Sequence, residues 1–324
     1  SLRIINWFFN MNLEEETRCG YLITAKMKSV WNIQIDLVQK LLEVCKRYDL
    51  RIWADSGTLI GTIRHKGYIP WDDDIDLVMM RDDYDKLLAV SNAEFKSPYF
   101  FQTAYSEHAP YSHGHAQLRM NGTTAILHGN EHMNIHLGIF IDIFVLDNVP
   151  ENLNELNNMG QSIEKLHKQL SLRMLNRVII TKKINVMIRS MLNRFMSIQT
   201  FQNKYRRMDD FAKYYADKNT GFVAPILLCQ DFDFLKRVRL RKEWFKETLW
   251  MPFEDIMLPV PNGYHEILTQ EYGDYMKPVK APTMHGGFLV LDPDKDYKEY
   301  LPELRRQAKK DFWKKVLVKL HLKR

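Results

Sequence analysis

One charge, Asp142, stands inside the run Gly138–Leu146 (GIFIDIFVL). The run is apolar on both faces, the pattern of a central strand covered on both sides rather than of an edge. A lone carboxylate in such a strand costs on the order of several kcal/mol unless it is paired or bound to a metal. The fold must therefore supply a partner. It is either a buried arginine, for which Arg119 is the candidate, or a cation shared with other acids.

A second acidic feature favours the cation. Trp71–Met79 (WDDDIDLVM) carries Asp72, Asp73, Asp74 and Asp76. Residues two apart in a strand point to one face, so a strand over Asp74–Met79 projects Asp74 and Asp76 together and turns Ile75 and Leu77 to the core. Asp72 and Asp73 read as a solvated turn ahead of it. If this strand neighbours that of Asp142, then Asp74, Asp76 and Asp142 converge on one or two ions. Mg²⁺ or Mn²⁺ suits an all-oxygen set, and such ions position and neutralise a phosphoryl group. About one helix upstream, Ser56-Gly57-Thr58 lies between a short apolar strand (Arg51–Asp55) and a helix over Leu59–His65. Glycine there lets a phosphate approach the backbone, and the N–H groups opening the helix bind anions.

The remaining chain divides into four parts. Residues 1–150 read as an N-terminal amphipathic helix over Thr24–Tyr48 followed by a catalytic core, with further strands at Tyr99–Thr103 and Ala116–Met120. Residues 151–235 have helical spacing and few Gly or Pro, the mark of a helical subdomain. Residues 236–300 are mixed and complete the catalytic domain. Residues 301–324 form a basic amphipathic helix, with nine Lys/Arg against Glu303 and Asp311. The expected class is α/β (α+β), a mixed sheet flanked by helices with an added helical subdomain.

Net charge of +6 favours anionic partners. No basic patch interleaved with aromatics appears, so nucleic acid is not among the expected partners. Cys19, Cys45 and Cys229 are widely spaced, which supports neither a zinc ribbon nor a disulfide framework and suits a reducing compartment. No apolar run is long enough to span a bilayer. The expected location is cytoplasmic, with peripheral contact on the anionic inner face of the cytoplasmic membrane through the C-terminal helix, Phe312 and Trp313 inserted. Packing of that helix on its own domain is the alternative.

Three segments carry a family resemblance: GTLIGTIRHKGYIPWDDDIDLVM, then QLRMNGTT (Gln117–Thr124), then IHLGIFIDIFVLD (Ile135–Asp147). Together they resemble the LicD-type choline-phosphate transferase family, which includes fukutin-related protein, and Phe253–Met276 is similar to its C-terminal motif. The resemblance implies a nucleotidyltransferase-like fold. It also implies transfer of a phospho-alcohol from a CDP-linked donor, CDP-choline above others, to a sugar hydroxyl, with CMP released. The implied acceptor is a cell-surface glycan or lipid-linked glycan such as lipopolysaccharide or teichoic acid. The family's metal acids match Asp74, Asp76 and Asp142. Its Gly-Thr turn matches Gly57 and Thr58, beside Ser56, and its Arg-His pair matches Arg64 and His65. Arg64 and Arg119 are implied phosphate contacts.

A nucleotidyltransferase that moves a nucleoside monophosphate and releases pyrophosphate is the alternative, and a non-catalytic binding protein is a third reading. Choline would call for an aromatic cage, since a quaternary ammonium donates no hydrogen bond. Trp53, Tyr68, Trp71 and Tyr111 are candidates, with core packing as the competing role. His128, His132 and His136, and the pair His113 and His115, have spacings that can hold zinc. A phosphate or acceptor contact from His136 is the preferred reading, and His285 is a surface-loop residue by default.

Overall fold

A computed structural model describes residues 12–111, 113–174, 188, 195–218, 220–229, 231–280 and 287–321. The chain opens with a hairpin of β1 (Glu16–Arg18) and β2 (Tyr21–Ile23), which turns on Cys19 and Gly20 at φ of 51° and 72°. Helix α1 (Ala25–Arg47) follows, capped by Thr24, whose Oγ1 accepts from the Met27 N–H at 3.2 Å. The expected three- and four-residue spacing is its core face: Trp31, Ile35, Val38 and Cys45 are buried, while Leu42 is only half-buried.

Next come β3 (Trp53–Ala54) and α2 (Ser56–Ile60), which runs into a π-helical turn over 61–65. β4 (Asp76–Met80), α3 (Arg81–Glu94), β5 (Tyr99–Gln102), β6 (Ala116–Met120), β7 (Thr124–Leu127) and β8 (Phe140–Val149) complete the N-terminal half. After them lie α4 (Leu153–Met174), α5 (Ile198–Ala212), β9 (Phe222–Ala224), α6 (Phe232–Val238) and β10 (Leu240–Arg241). The hairpin β11 (Thr248–Phe253) and β12 (Ile256–Pro261) leads to α7 (Tyr264–Tyr272), β13 (Phe288–Asp292) and α8 (Tyr297–His321). Among the described residues, the segment 151–235 carries α4, α5, the start of α6 and also β9.

The main sheet has seven strands, in an α+β arrangement, and β8 is its hub. β8 pairs in parallel with β4 along 142–146, and antiparallel with β6 along 140–143 and with β9 along 147–149. Flanked in this way, it is buried over nearly its whole length, as its two-sided apolar sequence requires. It starts two residues later than the sequence suggests and runs on to Val149. β4 likewise starts at Asp76, so Asp74 lies in the extended segment leading into the strand.

A buried ion network ties the far end of this pair to the helices. Arg81, at the start of α3, donates to both Asp147 oxygens at 2.6 and 2.9 Å and to Asp209 on α5 at 3.0 Å. On the other side, α1 holds the acidic turn by its backbone. Trp31 Nε1 donates to the Asp72 carbonyl at 3.1 Å, and Gln34 Nε2 to that of Asp73 at 2.9 Å.

The first turns of α8 pack on the domain itself. Leu301 is buried, and Arg305 donates to the Glu131 and Met133 carbonyls at 2.9 and 2.7 Å. The side chains of Phe312 and Trp313, and all of His285, lie outside the described residues. Among the described residues, no helix is long and apolar enough to cross a membrane.

Candidate metal and phosphate site

Asp76 and Asp142 are direct register partners on β4 and β8, so parallel pairing turns both side chains to one face of the sheet. Asp74, two residues upstream, projects to the same face. One oxygen from each of Asp74, Asp76 and Asp142 lies within 4.8 Å of the others. Asp72, Asp73 and Asp74 form a second such group, so Asp72 belongs to the acidic site and not to a solvated turn. The Ile75 carbonyl accepts from the Asp142 N–H at 2.8 Å and fixes the spacing of the two strands at the site.

The electrostatics are those of crowded acids. Burial, then the charges of Asp74, Asp142, Asp55 and Asp72, push the Asp76 carboxyl well above the usual range. Burial and the neighbouring Asp74 raise Asp72 to about 8. Burial also raises Asp55 to about 6, against hydrogen bonds from Ser56 that favour the anion. Glu271 on α7 rises to about 8 through burial and the charge of Asp55. Asp142 differs. Burial acts to raise it, but His115 and the Gln117 amide more than offset this and hold it below the usual value.

Those two partners are themselves held in place. Gln117 Nε2 donates to Asp142 Oδ1 at 2.6 Å, and His115 Nε2 meets the same oxygen at 2.9 Å. The His115 Nδ1 lies 3.1 Å from the His113 carbonyl. The Gln117 carbonyl oxygen accepts from Tyr111 Oη at 2.8 Å and from Arg119 Nη2 at 2.5 Å, which turns its NH₂ toward Asp142. Arg119 is therefore not the direct partner of Asp142. Its other donors go to Gln102 Oε1 at 2.5 Å and the Gly138 carbonyl at 2.7 Å, and it lies over the Phe140 ring at 4.5 Å. At 2% exposure, with Nε, Nη1 and Nη2 each donating inside the protein, it supports Gln117.

The Gly-Thr turn abuts the acids. Thr58 Oγ1 accepts from the Asp76 N–H at 2.8 Å, and the Asp55 N–H donates to the Asp76 carbonyl at 3.0 Å. Asp72 Oδ2 lies 2.7 Å from where a Cβ on Gly57 would stand, so only glycine leaves that carboxylate its position. Ser56 holds a positive φ of 48°, uncommon for a residue other than glycine, at the mouth of the helix.

The other sequence candidates have partners apart from the three acids. Arg64 Nε donates to His65 Nε2 at 2.8 Å, and its Nη1 to the Tyr275 carbonyl at 2.5 Å, which ties this pair to the chain after α7. Burial, with the charges of Arg64 and Arg18, lowers the His65 pKa. His136 engages Asn121 Oδ1 at 2.8 Å and stacks on Phe100, apart from the acids' own partners. Among the described residues, His128, His132 and His136 form no metal-binding group. Trp53, Tyr68 and Tyr111 are buried in the core and form no cage.

Asp55, Asp72, His115, Gln117 and Glu271 thus join the site on structural grounds. The available signals were Asp55 directly before Ser56-Gly57-Thr58, and Gln117 on the strand beside that of Asp142 with His115 just ahead of that strand.

The donor set fits a hard divalent cation. All three groups in reach are carboxylates, and their mutual repulsion is what such an ion relieves.

Residues 49–144 match the family model described as LicD/FKTN/FKRP, nucleotidyltransferase domain. The chain is 33% identical over 236 residues to the lipopolysaccharide cholinephosphotransferase LicD of Haemophilus influenzae, covering 72% of this chain and 85% of that protein. An uncharacterized protein of Rickettsia prowazekii is 40% identical over 47 residues, 14% of this chain and 18% of its own length. Its counterpart in Rickettsia typhi is similar to the same extent, over 15% of its length.

Proposed function

The chain belongs to the LicD family, and from that premise we propose that it transfers phosphocholine from CDP-choline to a sugar hydroxyl of a cell-surface glycan such as lipopolysaccharide. The observation that carries the reading is the convergence of Asp74, Asp76 and Asp142 beside the Gly57–Thr58 turn. It is supported by the name of the Haemophilus relative.

In this reading Asp74, Asp76 and Asp142 hold Mg²⁺ or Mn²⁺, which when bound neutralises the donor diphosphate and sharpens the electrophile. With Asp142 Oδ1 engaged by His115 and Gln117, its second oxygen is the one offered to the cation. The backbone N–H groups at Gly57 and Thr58 receive the diphosphate, and glycine lets it come close. The acceptor hydroxyl attacks the phosphorus that carries choline. A new P–O bond forms as the bond to CMP breaks, CMP departs with the electron pair, and the hydroxyl proton passes to a site carboxylate or solvent. In this reading the acceptor hydroxyl attacks directly, without a covalent intermediate on the protein. Arg64 and His65 serve the donor's phosphate end, while Arg119 acts only through Gln117. The basic surface of α8 suits a membrane bearing a lipid-linked acceptor.

The test is CMP release from CDP-choline by purified protein, supplied with Mg²⁺ or Mn²⁺ and a glycan extract. Metal-dependent CMP that vanishes in Asp76→Asn supports the reading. Pyrophosphate release from a nucleoside triphosphate, with no CMP from any CDP-alcohol, overturns it in favour of nucleotidyl transfer.

A further inference from the structure

A trimethylammonium group has no N–H to donate, so a protein that selects it must offer ring faces rather than acceptors. Of the four aromatic candidates named from the sequence, Trp53, Tyr68 and Tyr111 are closed off in the core. Trp71 differs. It is half-buried, directly precedes Asp72, and shares the short turn that α1 pins through Trp31 and Gln34. Against it stands Tyr21, half-buried on β2. The two rings have centroids 6.2 Å apart and planes at 70°. Near-perpendicular rings form a corner, in which a compact cation can take the face of one ring while the other shields its flank from water.

A second observation shows that the Tyr21 face of this corner attracts a cation. The ammonium of Lys280, an exposed residue, lies over the Tyr21 ring with Nζ 4.7 Å from the centroid. A flexible side chain at the surface, with water available to solvate its charge, rests instead on an aromatic face. The β1–β2 hairpin that carries Tyr21 is also fixed. Arg18 pairs with Glu254 at 2.5 and 2.9 Å, and Glu254 accepts from the Tyr68 N–H at 3.0 Å. Tyr21 is therefore held in front of Trp71, on the side where the acidic turn begins.

We propose that Tyr21 and Trp71 form the subsite for the choline headgroup, with the trimethylammonium taking the place of the Lys280 ammonium. The proposal rests on the phosphocholine-transfer reading above and names the residues that choose choline over a donor bearing a primary amine. Ethanolamine keeps three N–H donors and hydrates strongly, so it gains less from ring faces.

The experiment compares wild type, Tyr21→Leu, Tyr21→Phe and Trp71→Leu in two assays with Mg²⁺ present. The first measures kcat/KM for CDP-choline and for CDP-ethanolamine. The second measures equilibrium binding of phosphocholine against phosphoethanolamine, which needs no turnover. In Tyr21→Leu and Trp71→Leu, the preference for the choline compound is expected to fall about tenfold in both assays, and Tyr21→Phe is expected to restore it. Should Trp71→Leu fail to fold, the two Tyr21 variants carry the test. Turnover of CDP-choline with an unchanged preference in Tyr21→Leu overturns the subsite and leaves the transfer reading intact. Selective phosphocholine binding that the variants lose, without turnover of any CDP-alcohol, supports the subsite and removes the transfer reading. Absence of both selective binding and turnover removes the two together.

Discussion

Asp76 and Asp142 face each other in register across adjacent parallel strands, with Asp74 two residues upstream on the same face. In the metal-free protein these carboxylates repel one another. Removing one charge therefore costs little stability while it removes a ligand. Asp76→Asn is expected to abolish CMP release. Its thermal midpoint in chelator should equal or exceed that of wild type, and the rise in midpoint that Mg²⁺ gives the wild type should disappear. A variant that unfolds in chelator at a clearly lower temperature would instead mark Asp76 as a structural residue.

The same crowding gives the metal-free protein a pH dependence of definite sign. Asp72 has its pKa raised from 3.8 to about 8, and Glu271 from 4.5 to about 8. The folded state thus binds these protons more tightly than the unfolded state, so stability falls as pH rises from about 4 to about 8. Asp72 is half-buried, and solvent screening reduces the size of the effect without changing its direction. In chelator, the thermal midpoint of wild type minus that of Asp72→Asn is expected to decrease steadily between pH 5 and pH 8. Saturating Mg²⁺ should flatten the curve. A difference that grows with pH would contradict the placement of Asp72 among the acids.

His115 and Gln117 hold one oxygen of Asp142 and so orient the other. Partners of this kind commonly contribute about 10–100-fold in metal affinity or activity. His115→Ala and Gln117→Leu are each expected to raise the Mg²⁺ concentration needed for half-maximal CMP release by about that factor. Their unfolding midpoints in urea should shift far less than the metal requirement does. An unchanged metal requirement would show that Asp142 needs neither partner.

How much of this was legible in sequence varies from residue to residue. Asp142 could be singled out because a charge in a two-sided apolar strand has few physical excuses. Strand alternation put Asp74 and Asp76 on one face, but that β4 lies beside β8 came only from the structure. Asp74 was harder to place: it shares the face, but it precedes the strand, whose hydrogen bonding begins at Asp76. Arg119 misled. Its partners Gln102 and Gln117 lie on β5 and its own strand β6, and only antiparallel pairing brings the two strands together around its guanidinium. Glu271 could not be read, since nothing local separates one acid on an amphipathic helix from its neighbours. It is the packing of α7 against α2 that brings it into the field of Asp55.

Arg81 tests a different part of the fold. Its guanidinium serves Asp147 and Asp209, all three residues being buried, and links β8 to α5. Removing the cation leaves two carboxylates in the interior, a loss that typically costs about 3–5 kcal/mol. Arg81→Met is expected to lower the urea midpoint accordingly, while CMP release per folded molecule is retained. Loss of activity without loss of stability would instead place Arg81 in the chemistry.

Gly57 links the phosphate turn to the acids by steric means alone. A Cβ there would stand 2.7 Å from Asp72 Oδ2, and the carboxylate is the atom group that must give way. Gly57 has no positive φ, so alanine brings no backbone strain, and within a helix it is the better former. Gly57→Ala should therefore fold as stably as wild type or more so. Its effect falls on the site: Asp72 is pushed aside, and the added methyl obstructs the approach of a diphosphate to the turn. A displacement of about 1 Å in such a site costs about 100-fold in rate. The expected result is a loss of kcat/KM for CDP-choline on that scale at an unchanged thermal midpoint in chelator. Activity equal to wild type would show that the donor does not use this turn, and Arg64 and His65 would become the contacts to test next.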